Sequence, residues 1–474
     1  MLKSVIGLEV HCELNTKSKM FSSSRNSFNR HPNENVCPVD VGFPGTLPTV
    51  NKEAVRKAIK IAYALNCEIA NKIIFDRKNY YYPDLPKGYQ VTQMYKPFGV
   101  NGYLDINVSG VKKKILIHDV HLEEDSASLD HMETYSLLDY NRCGTPLIEI
   151  VTEPSFDNEE DALAFLEDLR NIFLYLDVSQ AQASKGQIRC DVNVSVMQED
   201  SLVLGTRTEM KNINSFSTVK SCIIAEVKRQ KEIVENGGVI QQETRRYSLD
   251  DNKTYSMRKK EDAIDYKYFV DPNIPCIMLE DKFLNDIKKE IPALPNDKRN
   301  IYIDKYGLTL KEANTFIKSK DLMLYFDKCL SLGINAHSAS NWISSNILGY
   351  LSNENISIND FYITPILLKE LILLIENNTI SNNQAKDVFI KCINNKISPN
   401  EVVSSLGIQQ VSDEEEIRKV IKEVLINNEI QVKEYLAGKT NIMGYLVGVV
   451  LKQSKGKFNP GLTAKILNEE IGRI

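Results

Sequence analysis

The chain has 474 residues, 58 Lys+Arg against 63 Asp+Glu, and a formal net charge of −5. With 42% hydrophobic and 26% charged residues it can bury a sizeable core, which excludes wholesale disorder, and its length points to about three domains at ~150 residues each. A mildly acidic balance excludes a uniformly basic nucleic-acid binder but leaves room for a local cationic patch.

In chain order, Ser4 to Leu14 alternates cleanly. Ile6, Leu8, Val10, Cys12 and Leu14 point one way, and Gly7, Glu9, His11 and Glu13 point the other, so a half-buried strand is expected. Asn51 can cap a helix with the apolar stripe Val55, Ile59 and Ala62. Glu160 to Leu176 has helical spacing through Ala162, Phe165, Leu166, Leu169, Phe173 and Leu176. Arg189 to Val196 is a second alternating strand, with Arg189, Asp191, Asn193 and Ser195 on its polar face. Lys220 to Asn236 reads as a helix stopped by Gly237-Gly238.

The two prolines of Ile291-Pro292-Ala293-Leu294-Pro295-Asn296 mark a boundary. Beyond it the chain reads as short capped helices. Thr364-Pro365 opens one, and Ser381 to Gln384, Ser398 to Glu401 and Ser412 to Glu415 are capping boxes. Gly407 and Gly438 are expected stops, and Asn459-Pro460 opens the last helix. The expected class is therefore α+β: a mixed-sheet body over 1–291, a helical domain over 296–400 and a helical tail over 401–474. Residues 433–474 carry seven Lys+Arg and three Glu, a local excess of +4.

The nine cysteines form no CxxC pair, and the N-terminus meets Glu9 and His11 too soon for a signal segment. The apolar run Ile442 to Leu451 has ten residues, against the ~20 that a bilayer needs. A soluble protein of the reducing cytoplasm is expected.

There is no GxGxxG, no P-loop and no GxSxG elbow. If ATP is used, carboxylates and metal must hold it. Glu9 and His11 share a strand face two residues apart, so both side chains can meet one ion. Asp191 stands likewise beside Arg189, and Glu149 interrupts the apolar Pro146 to Val151, where an unpaired acid is costly. Glu209 and the run His121-Leu122-Glu123-Glu124-Asp125 add further acids. Any one of them fits a surface ion pair; together with His11 they suit Mg²⁺. Between Phe75 and Gln90, bases, tyrosines and prolines interleave. That stretch reads either as a loop offering cations and rings to a phosphate-bearing ligand or as a Tyr-rich strand and turn packed on the body.

Several motifs now stand in one order: Val5 to His11, Pro44-Gly45-Thr46-Leu47-Pro48, Asp76 to Tyr80, Tyr82 to Lys87, His121 to Asp125, Asn141-Arg142, Gly144 to Val151, Arg189 to Asn193 and Lys211 to Phe216. Tyr445 to Gly448 and Lys455 to Pro460 extend the series to the end of the chain. Together they resemble the B-subunit family (GatB) of the aspartyl/glutamyl-tRNA amidotransferases.

The resemblance implies a glutamine-synthetase-like cradle domain and a tRNA-binding tail. It implies a heterotrimer with a glutaminase A subunit and a C subunit. The substrates would be ATP and Glu-tRNA(Gln) and/or Asp-tRNA(Asn), with Mg²⁺ as the metal. The implied chemistry phosphorylates a side-chain carboxylate and then amidates it with ammonia, as in glutamine-hydrolysing carbon–nitrogen ligases. Matching motifs imply Glu9, His11 and Glu124 as metal ligands, and Glu124, Glu149, Asp191 and Glu209 as catalytic acids. Charge and position point to Arg77, Lys78, Lys87 and Arg189 for phosphate or the tRNA acceptor end, and to Lys439, Lys452, Lys455 and Lys457 for tRNA.

The chain departs from the family pattern at Ser126-Ala127-Ser128, where relatives read Ala-Gly-Lys, and at Lys267, Val270 and Asn273. It has a lone Cys37 where some relatives have two, so no zinc is expected there. Two rival readings are a non-catalytic tRNA-binding scaffold and a stand-alone ligase for a free amino acid.

Overall fold

Aliphatic residues at every second position drive the N-terminal segment into an extended strand, and this strand organises the first half of the computed structural model. The structure describes residues 2–28, 31–213, 215–259, 265–377, 379–406, 414–436, 439, 442–454, 458 and 460–473. It divides into two compact units, Met1–Tyr302 and Ile303–Ile474.

The first unit opens with β1 (Leu2–Glu13) and α1 (Lys52–Ala64). The short strands β2 (Glu68–Ile69), β3 (Lys72–Ile73), β4 (Asp76–Asn79) and β5 (Tyr89–Thr92) follow. Next come β6 (Gly99–Val108), β7 (Val111–Glu124), β8 (Ser128–His131), β9 (Ser136–Asp139) and β10 (Pro146–Thr152). Then come α2 (Glu159–Tyr175), β11 (Ile188–Gln198), β12 (Thr208–Ile213), α3 (Phe216–Glu235), β13 (Glu243–Ser248) and β14 (Lys253–Lys259). β15 (Phe269–Val270), β16 (Ile277–Met278), α4 (Asp281–Lys289) and α5 (Pro295–Asp304) follow.

Nine strands form one mixed sheet in the order β14-β13-β12-β11-β1-β10-β7-β6-β2. All pairs are antiparallel except β12 with β13. β1 lies near the middle, and its inner residues Ile6, Leu8, Val10 and Cys12 are at most 1% exposed. They join one apolar core with Ile148, Ile150, Val192 and Val194 of the neighbouring strands and with residues of α1, α2 and α3. The helices therefore cover one face of the sheet, and the polar side chains of the strands are left on the other.

The expected helix signals appear in the chain. Asn51 accepts from Glu53 N and Ala54 N, Asn158 caps α2, and Ser215 caps α3. Gly237, at φ +77°, ends α3 in the left-handed conformation that only glycine adopts without strain. A buried pair, Asp168 with Arg299 at 2.6 Å, joins α2 to α5.

The second unit is helical: α6 (Leu310–Ile317), α7 (Lys320–Ser331), α8 (Ala336–Trp342), α9 (Leu348–Glu354), α10 (Pro365–Glu376), α11 (Asn382–Asn395) and α12 (Pro399–Leu406). Its last helices are α13 (Glu414–Asn427), α14 (Glu429–Leu436), α15 (Ile442–Gln453) and α16 (Pro460–Ile471). Thr364 with Pro365 opens α10, and the boxes at Ser381 and Ser398 both close on Gln384 and Glu401. The box at Ser412 and the stops at Gly407 and Gly438 lie outside the described residues. Helices α13 to α16 share a small core through Ile417, Ile421, Val424, Leu446, Val450, Ile466 and Leu467. Among the described residues no helix is long and apolar enough to cross a membrane. The chain is thus an α+β protein with a large mixed sheet and a helical C-terminal region.

Candidate active site on the open face of the sheet

Register builds the site. The pairings His121↔Glu149, Glu149↔His11 and His11↔Arg189 put four polar residues in one row across β7, β10, β1 and β11. On one side of it lies the row Asp119, Val151, Glu9 and Asp191, and on the other the row Glu123, Leu147 and Glu13. Side chains two apart on a strand share a face, so all of these project from the side opposite the core. β12 adds Glu209 and Lys211.

A β-bulge sets the phase of β7. Val151 pairs with Asp119 but Thr152 with Ile117, one residue further along β7. Ile115 and Ile117 are buried on the core side, and after the bulge Val120 and Leu122 take that role. Asp119, His121 and Glu123 then occupy the open face.

His11 Nε2 lies 3.3 Å from Glu149 Oε2 and 3.6 Å from Glu123 Oε1. His121 Nε2 lies 3.0 Å from the same Glu149 oxygen, and its Nδ1 is 2.7 Å from Asp119 Oδ1. Burial works against an imidazolium, but the Glu149 and Glu123 carboxylates outweigh it and push His11 up to about 9. His121 is raised well above its ordinary value by the same contest, with Glu149 and then Asp119 prevailing over burial. Burial pushes Glu149 upward too, yet the two imidazoles hold it well below the usual carboxylate range. Burial and the Glu149 charge push Glu123 up. Burial and Glu149 also raise Glu9, against a 2.9 Å hydrogen bond from Asn193 Nδ2. Neighbouring carboxylates with pKa values driven apart are a usual mark of a chemical site.

Two groups here can hold a cation. His11, Glu123 and Glu149 each offer a ligand atom within 4.8 Å of the others, and so do Glu9, Asp191 and Glu209. The second set is all oxygen, the donor type that Mg²⁺ prefers. The first adds one imidazole to two carboxylates, which Mg²⁺ or a softer divalent ion accepts. The carboxylates of the first set favour the protonated imidazoles of His11 and His121 beside them. Lys211 Nζ, 3.0 Å from both Asp191 Oδ2 and Glu209 Oε1, balances the second. A site needing that much compensating positive charge fits a divalent ion.

The floor opens into a cavity of about 580 Å³ whose cationic walls are Lys78, Arg207 and Lys211 and whose aromatic wall is Tyr266 and Tyr268. A second cavity of about 300 Å³ adjoins it, sharing Lys78, Glu123 and Lys211 and adding His11, Arg189 and Asp191.

Of the expected site residues, Glu9, His11, Glu149, Asp191, Glu209, Lys78 and Arg189 come together on this face, Arg189 with its guanidinium 2.8 Å from Asp125. Three do not. Glu124 points to the other side of β7, where its carboxylate is paired with Lys87 and accepts from Val91 N at 3.1 Å. These two residues line a separate cavity of about 110 Å³. Arg77 is committed to Asp271 at 2.7 Å and stacks on Tyr89 at 4.0 Å. Asp119 and Glu123 flank His121 on the same face of β7 once the bulge has set its phase; Arg207 and Lys211 had no comparable signal in the sequence. In the second unit Lys439 lies 3.2 Å from Glu434, and Lys452 is exposed in the last turn of α15. Lys455 and Lys457 lie outside the described residues.

Fold and site define an α+β domain with a carboxylate–histidine floor on the open face of its sheet, followed by a helical region. Residues 4–285 match the GatB/GatE catalytic domain, and residues 324–471 match the GatB domain. The chain is 45% identical over 466 residues to the B subunit of the aspartyl/glutamyl-tRNA(Asn/Gln) amidotransferase of Persephonella marina, covering 98% of each chain. It is 45% identical to the corresponding B subunits of Geobacillus kaustophilus, over 472 residues, and Caldicellulosiruptor bescii, over 475, covering 99% of each chain in both cases. The chain belongs to the B-subunit family of the aspartyl/glutamyl-tRNA(Asn/Gln) amidotransferases.

Proposed function

We propose that this chain activates the side-chain carboxylate of Glu-tRNA(Gln) and/or Asp-tRNA(Asn) with ATP and then amidates it. The observation that carries the reading is the pair of three-ligand clusters side by side on one sheet floor, walled by Lys78, Arg207 and Lys211. A carboxylate is a poor electrophile. Attack of its oxygen on the γ-phosphorus of ATP gives an acyl phosphate and ADP. Ammonia then attacks the carbonyl carbon, and phosphate leaves with the original carboxylate oxygen.

The first step brings several anions together, so catalysis is mainly positioning and charge neutralisation. His11, Glu123 and Glu149, with Glu9, Asp191 and Glu209, would hold Mg²⁺, which when bound supplies positive charge to the phosphate oxygens. Lys78 and Lys211 border both cavities and add fixed cations where nucleotide and aminoacyl end would meet. Arg189 closes the row beside His11.

The relatives' designation as B subunits supports a complex in which an A subunit releases ammonia from glutamine and a C subunit joins the two, in the cytoplasm. We assign 1–291 as the cradle, 296–400 as a helical domain, and 401–474 as the tRNA-binding tail with Lys439, Lys452, Lys455 and Lys457. Reconstituted with its partners, His11→Ala or Glu149→Gln should keep tRNA affinity and lose glutamyl- or aspartyl-tRNA-dependent ATP hydrolysis. Unimpaired hydrolysis in both variants would favour a tRNA-binding scaffold.

A further inference from the structure

Residues 265–268, just ahead of β15, bring two tyrosines into the main cavity. Tyr266 and Tyr268 are half-buried and both line it, while Asp265 and Lys267 between and beside them are exposed. Lys267 has φ +43°, a backbone conformation that is unfavourable for a non-glycine residue and that tends to persist where the surroundings enforce it.

The surroundings do so through the main chain. Asn79 N donates to Tyr266 O at 2.9 Å, the Asn79 side chain donates to Lys267 O at 2.8 Å, and Tyr95 Oη donates to Tyr268 O at 2.8 Å. The rings are held differently. Tyr266 and Tyr268 meet edge to face at 6.0 Å, Tyr80 and Tyr95 extend the row at 5.9 and 6.5 Å, and Lys78 Nζ lies 4.9 Å from the Tyr266 ring centroid. Among the described residues neither Tyr266 nor Tyr268 donates its hydroxyl to a protein acceptor. A backbone pinned by its neighbours, with two rings lining a cavity, is the construction of a binding wall rather than of a packed core.

Resting on the function proposed above, we infer that Tyr266 and Tyr268 form the platform that receives an adenine base. Both substrates carry one: ATP in its nucleoside, and aminoacyl-tRNA in its 3′-terminal adenosine. Base–aromatic stacking needs a π-face and no particular hydrogen bond. Lys78, beside the Tyr266 ring and on the rim of both cavities, would then accompany the phosphate attached to that nucleoside.

The test uses the complex with its partner subunits, carrying Tyr266→Ala, Tyr266→Phe, Tyr268→Ala or Tyr268→Phe. KM for ATP and KM for the charged tRNA are measured separately. Calorimetric titrations use ADP, and uncharged tRNA with and without its terminal adenosine. The Ala variants should weaken one of the two substrates roughly five- to a hundred-fold, in KM and in the matching titration, and leave the other unchanged. The Phe variants should stay near wild type. An effect on ADP assigns the platform to ATP; an effect confined to tRNA that keeps its terminal adenosine assigns it to the acceptor end.

Three results overturn the inference: unchanged constants in both Ala variants, Phe variants as impaired as Ala, or both substrates weakened together with a fall in melting temperature, which would mark a packing role. If the wild-type complex amidates neither charged tRNA, the functional reading falls, and the ADP and tRNA titrations still decide the platform.

Discussion

Glu149→Gln removes one negative charge while keeping the shape of the side chain. Glu149 Oε2 sits 3.3 Å from His11 and 3.0 Å from His121, and its charge is the largest influence raising either imidazole. For His11, a pKa of 6.5 unfolded and about 9 folded corresponds to about 3 kcal/mol of stability at pH 7. That contribution is fully present below pH 6.5 and is lost as pH rises through about 9. The Glu149 carboxylate, held well below its ordinary range, contributes above the ordinary carboxylate pKa and loses its contribution as pH falls through the lowered value. The two windows overlap in mildly acid to neutral solution. In buffer free of divalent ions, the variant should therefore be less stable by about 3 kcal/mol near pH 6. The deficit should shrink clearly by pH 9.5. Urea unfolding at pH 6, 7.5 and 9.5 measures it. A deficit that is absent at pH 6, or constant across the series, would refute the charge-balanced floor.

Three further outcomes follow from the same geometry. Glu123→Gln should weaken divalent-ion binding by roughly ten- to a hundred-fold, as loss of a group in a metal site commonly does, whereas Glu124→Gln, on the other side of β7, should leave it near wild type; calorimetry with Mg²⁺ or Mn²⁺ decides, and equal effects would contradict the bulge-set phase. Because His11 must lose its proton to bind a metal, affinity at its cluster should rise by up to about tenfold per pH unit from pH 7 towards 9, and a pH-independent affinity would remove His11 from the ligand set. Truncation of residues 401–474 should weaken tRNA binding and reduce its salt dependence, while unchanged affinity and slope would show that the tail does not contact tRNA.

The large regular features were legible in the sequence because they rest on local rules. The alternation of Ile6, Leu8, Val10 and Cys12 predicts the central strand and the shared face of Glu9 and His11. The caps at Asn51, Ser381 and Ser398 predict helix starts that the structure contains. Glu149, expected to need a partner because it interrupts an apolar strand, has two.

The fate of Glu124 shows what local rules leave out. Unbroken alternation from Ile115 and Ile117 puts position 124 on the open face and 123 in the core. The extra residue between the Thr152 and Val151 pairings reverses that assignment. His121, Asp119 and Glu123 enter the site through this irregularity, which becomes visible only once strands are paired. For Lys87 and Arg77 the sequence offers charge alone. Their burial against Glu124 and Asp271 depends on chain segments distant in sequence, as does the arrival of Lys211 between Asp191 and Glu209.

Activation of the side-chain carboxylate as an acyl phosphate at the His11–Glu149 floor leaves an isotopic signature. Glutamyl- or aspartyl-tRNA labelled with ¹⁸O in the side-chain carboxylate is incubated with ATP, glutamine and the complete complex, and the inorganic phosphate is analysed for the label. The expected result is one ¹⁸O atom in the inorganic phosphate for each amide formed, with both products lost in His11→Ala. Amide formed with unlabelled phosphate would contradict it.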